Sequence, residues 1–214
     1  MTKYKVTICI PTYGTIFAEQ LEQFIMVGRW AEKHRFPILT VSNRTHVDAR
    51  NWLATGGAGF SAGSILSDHT ESLLWIDSDM QFTESDLDRL VEHTHPFVSG
   101  VYKKGNRIMA AHWNETKFNE TGKMDFLTHE DIDEARGKPI NVSYVGFGFC
   151  KTDMSLFEKM SYPYFRNKMV TIKYKDKHVT ENVSEDASFC LDCSVKPILD
   201  TKIKLGHLKV GTIL

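Results

Sequence analysis

Two carboxylates directly follow an apolar run in the segment LLWIDSDMQF, residues 73–82. The run predicts a buried strand, and a spacing of two along extended chain places Asp77 and Asp79 on one face. In open α/β sheets, ligands bind beyond the carboxyl ends of the strands. Paired carboxylates suit Mg²⁺ or Mn²⁺, and such ions are commonly shared with substrate phosphates. The segment therefore predicts a metal-assisted phosphate site; the simpler alternative is a solvated Asp-Ser-Asp turn.

The residues around this segment alternate between strand-like and helix-like patterns through the first hundred positions. Apolar, β-rich runs predict strands at 6–10, 38–41, 73–76 and 96–100. Helical spacing of apolar residues predicts helices at 16–33, 47–54 and 84–93, the third with Thr83 as its N-cap. Pro11 is expected to end the first strand. Strands separated by helices imply parallel βαβ units and a sheet covered on both faces.

The second half of the chain is less regular, with polar loops and a charged stretch near 129–138. Its patterns predict strands at 108–113, 142–145 and 169–174, and helices at 152–160 and 185–192. Ser184 is the expected N-cap of the last helix. The tail at 196–214 is expected to combine strand and loop. Since no repeat or clear linker divides the sequence, a single α/β domain over residues 1–214 is predicted.

The composition excludes several classes of protein. Hydrophobic residues make up 42% of the 214 positions and charged residues 25%, which excludes disordered, collagen-like and coiled-coil chains. The net charge of -1 lacks the basic excess of non-specific nucleic-acid binders, although a local basic patch around Lys103, Lys104 and Arg107 stays open. No secretory signal or apolar run of roughly 20 residues occurs, so a cytoplasmic protein without a membrane anchor is expected. Its four cysteines are then expected to be reduced thiols.

Other nucleotide-binding motifs fit this sequence poorly. A Walker B strand also ends in an acidic residue, but it requires a G-x-x-x-x-G-K-[ST] loop, which is missing. The G-x-G-x-x-A match that begins at Gly57 has no predicted strand before it. A second partial match begins at Gly146 after a predicted strand, but Lys151 replaces its third small residue. Both places are therefore weak candidates for a dinucleotide site.

Seven motifs occur in the order seen in glycosyltransferases of the GT-A type: ICIPTYG at 8–14, ARN at 49–51, LLWIDSDMQF at 73–82, VSGVYKK at 98–104, VGFGFC at 145–150, SEDASFC at 184–190 and LGHLK at 205–209. Together they span nearly the whole chain, which resembles the short, stand-alone forms that many phages and bacteria encode. The resemblance implies a GT-A, Rossmann-like fold whose central, mostly parallel sheet is flanked by helices. It also implies a nucleotide-sugar-binding half at 1–100 and a more irregular acceptor and catalytic half at 101–214.

For the donor, the resemblance implies a nucleoside-diphosphate sugar, with a UDP-sugar favoured. Pro11, Thr12 and Tyr13 match the segment that borders the nucleoside base. Arg50 and Asn51 match a polar pair near the nucleotide-sugar, and the planar fork of an arginine suits a phosphate or a sugar hydroxyl. The alternative for Arg50 is a cation on the surface of a helix.

For the metal, the resemblance implies Mn²⁺ or Mg²⁺ bound at the DxD motif. Asp77, Ser78 and Asp79 match this motif, with Asp79 the expected direct ligand beside Asp77. His207 matches a late histidine that completes the metal site, and imidazole beside carboxylates suits manganese. A structural or solvated histidine is the alternative at that position.

For the acceptor, Gly146, Phe147 and Gly148 match a segment where missing side chains let substrate approach closely. A strand bulge or tight turn is the alternative there. Glu185 and Asp186 match the acidic pair around the acceptor hydroxyl, with Asp186 the expected base of an inverting transfer. Acids also favour the first turn of a helix, which would explain both without catalysis. Retention of configuration stays open.

The identity of the acceptor also stays open, between a saccharide and a modified DNA base. A DNA acceptor would require a basic, aromatic groove within residues 101–140. Two other functions are alternatives. A nucleotidyltransferase usually shows a glycine-rich basic loop after its first strand, whereas PTYGT contains no Arg or Lys. The second alternative is a catalytically inactive protein that binds a sugar-nucleotide or a carbohydrate. The acidic residues at 77, 79 and 186 argue against it.

Overall fold

The computed structural model of the chain describes residues 3–12, 18–57, 68–174 and 177–208. Its helices are α1 (Ala18–His34), α2 (His46–Ala54), α3 (Glu84–Glu92), α4 (Glu115–Thr121), α5 (His129–Glu134), α6 (Met154–Glu158) and α7 (Glu185–Asp192). Its strands are β1 (Tyr4–Thr12), β2 (Ile38–Ser42), β3 (Thr70–Ile76), β4 (Met80–Gln81), β5 (Phe97–Val101), β6 (Lys103–Lys104), β7 (Arg107–Ile108), β8 (Ala110–His112), β9 (Asp125–Phe126), β10 (Ile140–Asn141), β11 (Tyr144–Val145), β12 (Phe149–Asp153), β13 (Lys168–Tyr174), β14 (Lys177–Val183), β15 (Ile198–Lys204) and β16 (Gly206–His207).

Seven strands form the central sheet, in the order β10-β15-β5-β12-β3-β1-β2. Strand β1 pairs in parallel with β2 and β3, and β5 pairs in parallel with β15. Strand β12 runs antiparallel between β3 and β5, and β10 runs antiparallel along β15. The molecule is therefore an α/β protein with a mostly parallel central sheet, as the alternation of predicted strands and helices indicates.

Apolar side chains cover both faces of this sheet. Along β3, Leu73 and Trp75 belong to one core while Leu74 and Ile76 belong to the other, because successive side chains of a strand point to opposite faces. The first core packs α2, α6 and α7 against the sheet, and the second packs α1 and α3 against it. The predicted covering of both faces by helices is confirmed.

Helix α3 begins where the sequence predicts. The Thr83 hydroxyl accepts from the Asp86 amide, and the Asp86 carboxylate accepts from the Thr83 amide at 2.9 Å, which forms a capping box. Leu87 and Leu90 on the inner face of the helix are fully buried. The capped N-terminus of α3 therefore fixes the direction in which the chain leaves the Asp77–Asp79 segment.

Strand β1 continues through Pro11 to Thr12, which corrects the predicted end at Pro11. Pairing with β3 stops at Cys9, whereas pairing with β2 continues to Thr12. The Ile8 amide donates to the Pro37 carbonyl, so it points toward β2. Backbone groups of successive residues in a strand point to alternate sides, so the nitrogen of Pro11, three residues on, points toward β3. No pairing remains there, so the proline costs the sheet no hydrogen bond.

Strand β12 corrects the predicted helix at 152–160. The first two residues of that range belong to the strand, and the helix covers only Met154–Glu158. Trp75 Nε1 donates to the Thr152 hydroxyl at 2.8 Å inside the sheet. Lys151 is buried in the middle of the strand, and its ammonium donates to the carbonyl of His93. A lysine in this position hides the apolar pattern of a central strand.

Smaller differences lie in the second half. The predicted strand at 108–113 is divided into β7 and β8 at Met109, whose amide donates to the Tyr102 carbonyl. The predicted strand at 142–145 shortens to β11. Strand β14 was not predicted; it forms a hairpin with β13, and its only buried residue is Val183, so it lacks an apolar pattern.

Two further expectations concern the membrane and the cysteines. Of the helices that the structure describes, none is both long and apolar enough to cross a bilayer. The four cysteines are free thiols, as the sequence predicts, and the structure adds that all four are buried; they are Cys9, Cys150, Cys190 and Cys193.

Candidate active site

A cleft of about 430 Å³ opens beyond the carboxyl ends of β1 and β3. Ten of the residues predicted from the sequence line it together: Pro11, Thr12, Arg50, Asp77, Ser78, Asp79, Phe147, Glu185, Asp186 and His207. They come from the end of β1, the segment that follows β3, helices α2 and α7, the turn between β11 and β12, and strand β16. Positions far apart in the sequence therefore meet where an open α/β sheet binds its ligands.

Arg50 connects two groups of acids within this cleft. Its Nη1 donates to Glu185 Oε1 at 2.6 Å, and its Nη2 lies 3.2 Å from each carboxylate oxygen of Asp77. Only 3% of Arg50 is exposed, and its guanidinium carbon lies 5.4 Å from the centroid of the Phe147 ring. Within the described residues, Arg50 Nε has no hydrogen-bond partner. The structure therefore excludes a surface cation at this position.

Opposing charges determine the electrostatics of the cleft. Four carboxylates and three permanent cations line it, namely Asp77, Asp79, Glu185 and Asp186 against Arg44, Arg50 and Lys104. Burial raises the pKa of Asp77, the charge of Arg50 opposes this, and Asp79 adds to the increase. Burial alone would lower the pKa of Arg50, but Asp77, Asp186 and Glu185 raise it, so the guanidinium stays charged. An additional cation would offset the excess of negative charge.

Asp79 and His207 meet through a short pair of strands. Strand β16 pairs antiparallel with β4, which sets His207 opposite Met80, and the Leu208 amide donates to the Asp79 carbonyl at 2.8 Å. His207 Nε2 then lies 3.2 Å from Asp79 Oδ2. These two predicted metal ligands are therefore neighbours.

Asp77, the third predicted ligand, forms an ion pair with Arg50. Within the described ranges, no group of three or more His, Cys, Asp or Glu side chains is arranged to hold a metal ion. The chemistry of the Asp79 and His207 pair fits Mn²⁺ or Mg²⁺, with the remaining ligand positions left to substrate or water. Binding of a metal here stays a prediction.

The Asp186 carboxylate is held by three donors. Tyr144 donates its phenol to Oδ2 at 3.1 Å, the Ala187 amide donates to Oδ1 at 2.8 Å, and the Ser184 hydroxyl also donates to Oδ1. Ser184 occupies the predicted N-cap of α7, but its hydroxyl makes no capping bond to the helix backbone. Burial and the charge of Asp186 raise the pKa of Tyr144, so the phenol stays protonated and keeps donating.

The space beside Gly146 and Gly148 is filled by Tyr102. A Cβ atom on Gly146 would lie 2.1 Å from the Tyr102 hydroxyl oxygen, and one on Gly148 would lie 2.9 Å from it. The Gly148 amide donates to the same oxygen at 3.0 Å. The missing side chains thus make room for the protein's own tyrosine, and the approach of an acceptor to this segment stays a prediction. Of this segment, only Phe147 lines the cleft.

Asn51 supports the scaffold and does not line the cleft. Its Nδ2 donates to the carbonyls of Val47 and Phe165, and its Oδ1 accepts from the Phe165 amide at 3.0 Å. With 5% of the residue exposed, its hydrogen-bonding groups are turned to the backbone. Tyr13, another predicted donor contact, lies outside the described residues.

Several residues of the cleft have no predicted role in the site. They include Gln20, Arg44, His46, Lys104, Met109, Tyr144 and Ser184. Lys104 lies in the motif VSGVYKK and Ser184 begins the motif SEDASFC, so these two motifs could have identified both residues. Arg44 and His46 flank Thr45, the N-cap of α2, where no sequence pattern points to a ligand.

Comparison with known proteins adds a likeness of fold. No family model matches the sequence, and no curated protein matches it. Among solved structures, the fold is similar to that of A197 from STIV, with a TM-score of 0.56 and 14% sequence identity. The match covers 96% of this chain and 86% of that chain. At this identity, the similarity shows a common α/β fold alone.

Proposed function

We propose that this chain is a glycosyltransferase of the GT-A type, which moves a sugar from a nucleoside-diphosphate sugar to an acceptor hydroxyl. One observation carries the proposal: a single cleft contains the Asp79–His207 pair and Asp77, and Arg50 connects Asp77 to the start of α7 beside Asp186. The order of the seven sequence motifs supports the same function, because ten predicted residues from these motifs line that cleft.

The donor would occupy the part of the cleft at the ends of β1 and β3. Pro11 and Thr12 end β1 there and would border the nucleoside base. Asp79 and His207 would hold Mn²⁺ or Mg²⁺, which would offset the negative charge of the diphosphate as it leaves. Arg50 adds a permanent positive charge close to Asp77. A UDP-sugar is the proposed donor.

The acceptor would meet Asp186. The hydroxyl oxygen of the acceptor bonds to the anomeric carbon of the sugar while the bond from that carbon to the diphosphate oxygen breaks. The hydroxyl proton passes to the Asp186 carboxylate, and the nucleoside diphosphate leaves. Glu185 pairs with the charged guanidinium of Arg50, whereas the three donors to Asp186 are neutral, so Asp186 is the better base of the two. A single displacement of this kind inverts the configuration of the sugar.

Thermal-shift binding tests this function directly. The melting temperature would be measured with UDP, GDP, CDP and ADP, each with and without Mn²⁺. Any ligand that binds only the native state raises that temperature. We expect a Mn²⁺-dependent shift with UDP that is lost in Asp79→Asn. Asp68→Asn, which changes an exposed acid outside the cleft, is the matched control and should keep the shift.

The other outcomes separate the alternatives. Absence of a shift with all four nucleotides would reject the nucleotide-sugar donor. A shift without turnover of any nucleotide-sugar would favour a catalytically inactive binding protein. Release of pyrophosphate from a nucleoside triphosphate and a sugar phosphate would favour a nucleotidyltransferase.

A further inference from the structure

A hairpin beside the cleft brings like charges together. Strands β6 and β7 pair antiparallel, and Lys104 lies directly opposite Arg107. Both side chains are exposed, and neither forms an ion pair with a carboxylate in the described part of the chain. Like charges directly opposite each other destabilise a strand pair. An anion bound between these two side chains would remove that repulsion.

Two adjoining hollows surround this hairpin, and together we call them the basic groove. The first, of about 590 Å³, is lined by Lys104, Arg107, Ile108, Phe126, Leu127 and His129 among others. The second, of about 470 Å³, is lined by Lys104, Arg107, Lys123, Phe126, Tyr144 and Ser184 among others. Lys104, Tyr144 and Ser184 also line the cleft, so the basic groove leads to the residues that hold Asp186.

The chemistry of the basic groove combines cations with an apolar floor. Lys104, Arg107 and Lys123 are exposed, while Glu181 is the single acid among the described residues that line it. Ile108 and Leu127 are buried beneath the cations. The guanidinium carbon of Arg107 lies 4.4 Å from the centroid of the Phe126 ring, which holds this planar cation in place.

We propose that the basic groove binds a single-stranded nucleic acid and leads one of its hydroxyl groups into the cleft as the acceptor. A single strand alternates phosphates, which the three cations would neutralise, with planar bases, which would contact the apolar floor and the Arg107 guanidinium. A duplex would hide the bases from that floor. An acidic polysaccharide would satisfy the cations but has no planar apolar groups for the floor.

Only the role as acceptor rests on the proposed function; binding in the groove does not. In the transfer, an oxygen of the nucleic acid bonds to the anomeric carbon, its proton passes to Asp186, and the nucleoside diphosphate leaves. The net charge of -1 of the whole chain does not oppose such binding, because the cations that matter are concentrated in one groove.

Fluorescence anisotropy with labelled (dT)₂₀ and (rU)₂₀ tests the proposal over a series of salt concentrations. The unaltered 214-residue chain would be compared with the triple variant Lys104→Gln, Arg107→Gln, Lys123→Gln. Each phosphate contact on a single strand contributes about 0.7 to the slope of log K against log salt. Loss of three contacts should therefore lower that slope by about 2 and weaken binding about 100-fold at 0.1 M salt.

The matched control is Arg29→Gln with Lys33→Gln, two exposed cations on α1 that line neither the groove nor the cleft. It should bind like the wild type. Absence of salt-dependent binding to both oligonucleotides, an equal loss in the control, or tighter binding of heparin than of either oligonucleotide would overturn the proposal. Preference for (dT)₂₀ or (rU)₂₀ would identify the kind of nucleic acid.

The two proposals can fail separately. The double variant Arg107→Gln, Lys123→Gln, whose side chains line the groove and not the cleft, should keep the Mn²⁺-dependent shift with UDP, and Asp79→Asn should keep oligonucleotide binding. If a nucleotide shifts the melting temperature but no oligonucleotide binds, the nucleic-acid proposal is rejected and the proposed donor site is still supported. If oligonucleotides bind but no donor nucleotide does, the glycosyltransferase function is rejected, while nucleic-acid binding in the basic groove is still supported.

Discussion

Arg50 Nη1 donates to Glu185 Oε1 at 2.6 Å across 135 positions of the sequence. The same guanidinium contacts Asp77, so α2, α7 and the end of β3 are tied together by one buried charge. Removal of one partner from a buried ion pair typically costs about 3–5 kcal/mol, because the remaining charge is left without compensation. The Arg50 network should therefore support the fold as well as the site.

Arg50→Met is expected to lower the free energy of unfolding by about 3 kcal/mol or more, measured by urea denaturation. The control is Arg166→Met, which removes a 2.8 Å ion pair with Asp192 whose side chains are 46% and 22% exposed. An exposed pair of this kind contributes less than about 1 kcal/mol. Similar losses in the two variants would contradict a structural role for Arg50.

Tyr102 and the glycines beside it make a second prediction. Gly146→Ala forces a Cβ atom against the Tyr102 hydroxyl, and such overpacking costs about 1–3 kcal/mol. Tyr102→Phe leaves the buried Gly148 amide without its acceptor, at a cost of about 1–3 kcal/mol. In the Tyr102→Phe background, Gly146→Ala should cost less unfolding free energy, since the hydroxyl oxygen that the new Cβ atom would meet first is absent. A double-mutant cycle of unfolding free energies measures this coupling.

Gly28→Ala is the control for these glycine substitutions. Gly28 lies within α1, and a Cβ atom there meets nothing within 4 Å. This substitution should stabilise the protein by about 0.5–1 kcal/mol, because alanine favours a helix. Additive costs in the cycle would mean that Tyr102 moves away freely and that the close packing is not required.

Asp186 and Tyr144 make a prediction about activity. If Asp186 is the base, Asp186→Asn should lower kcat by about 10²–10⁴-fold and leave the thermal shift with UDP and Mn²⁺ intact. Tyr144→Phe removes the 3.1 Å hydrogen bond to Asp186 and should lower kcat by a smaller factor, with the donor KM unchanged. Asp133→Asn, an exposed acid on α5, is the control. Full activity in Asp186→Asn would assign the base elsewhere.

The fold could be predicted from sequence where the physical cause is local. Strand β3 is buried on both faces and therefore forms a continuous apolar run that predicts a strand. Strand β12 is also central, but Lys151 interrupts its pattern. The ammonium of that lysine is satisfied by the carbonyl of His93, 58 positions away. A contact at such a separation leaves no trace in the local pattern, so the strand was missed.

The same distinction applies to the site. The convergence of Asp77 and Asp79 with later motifs follows from the rule that ligands bind beyond the carboxyl ends of strands. The pairing of Asp77 with Arg50 and the packing of Tyr102 on Gly148 join residues 27 and 46 positions apart. Sequence motifs identify the participants but not which side chains pair, so they predict neither the Asp77–Arg50 ion pair nor the hydrogen bond between Gly148 and Tyr102.

Asp192 predicts how stability depends on pH. Burial raises the pKa of Asp192, but hydrogen bonds and charges from Lys168 and Arg166 outweigh it, so the pKa lies below its ordinary value of 3.8. The folded state therefore favours the charged form, and the stabilisation is complete above 3.8 and is lost as the pH falls from there through the lower pKa of the folded state. Asp192→Asn should remove about 1 kcal/mol at pH 7 and progressively less below about pH 4. Urea denaturation between pH 3 and pH 7 measures the difference.

Lys168→Gln is the matched test of this cause. The Nζ of Lys168 lies 2.6 Å from Asp192 Oδ1, so its removal should weaken the pH dependence without abolishing it, since Arg166 still donates to Oδ2. A difference between wild type and Asp192→Asn that stays constant down to pH 3 would show that the two ion pairs do not act on this carboxylate.

The buried thiols make the last prediction. Burial raises the pKa of Cys9, Cys150, Cys190 and Cys193, and the thiolate is the reactive form of cysteine. The thiols of the folded protein should therefore react with a disulfide reagent such as DTNB no faster than the protein unfolds, locally or globally, to expose them. In 6 M guanidinium without reductant, all four cysteines should react at once. Fewer than four reactive thiols would reveal a disulfide in solution, and fast reaction of the folded protein would contradict the burial of these side chains.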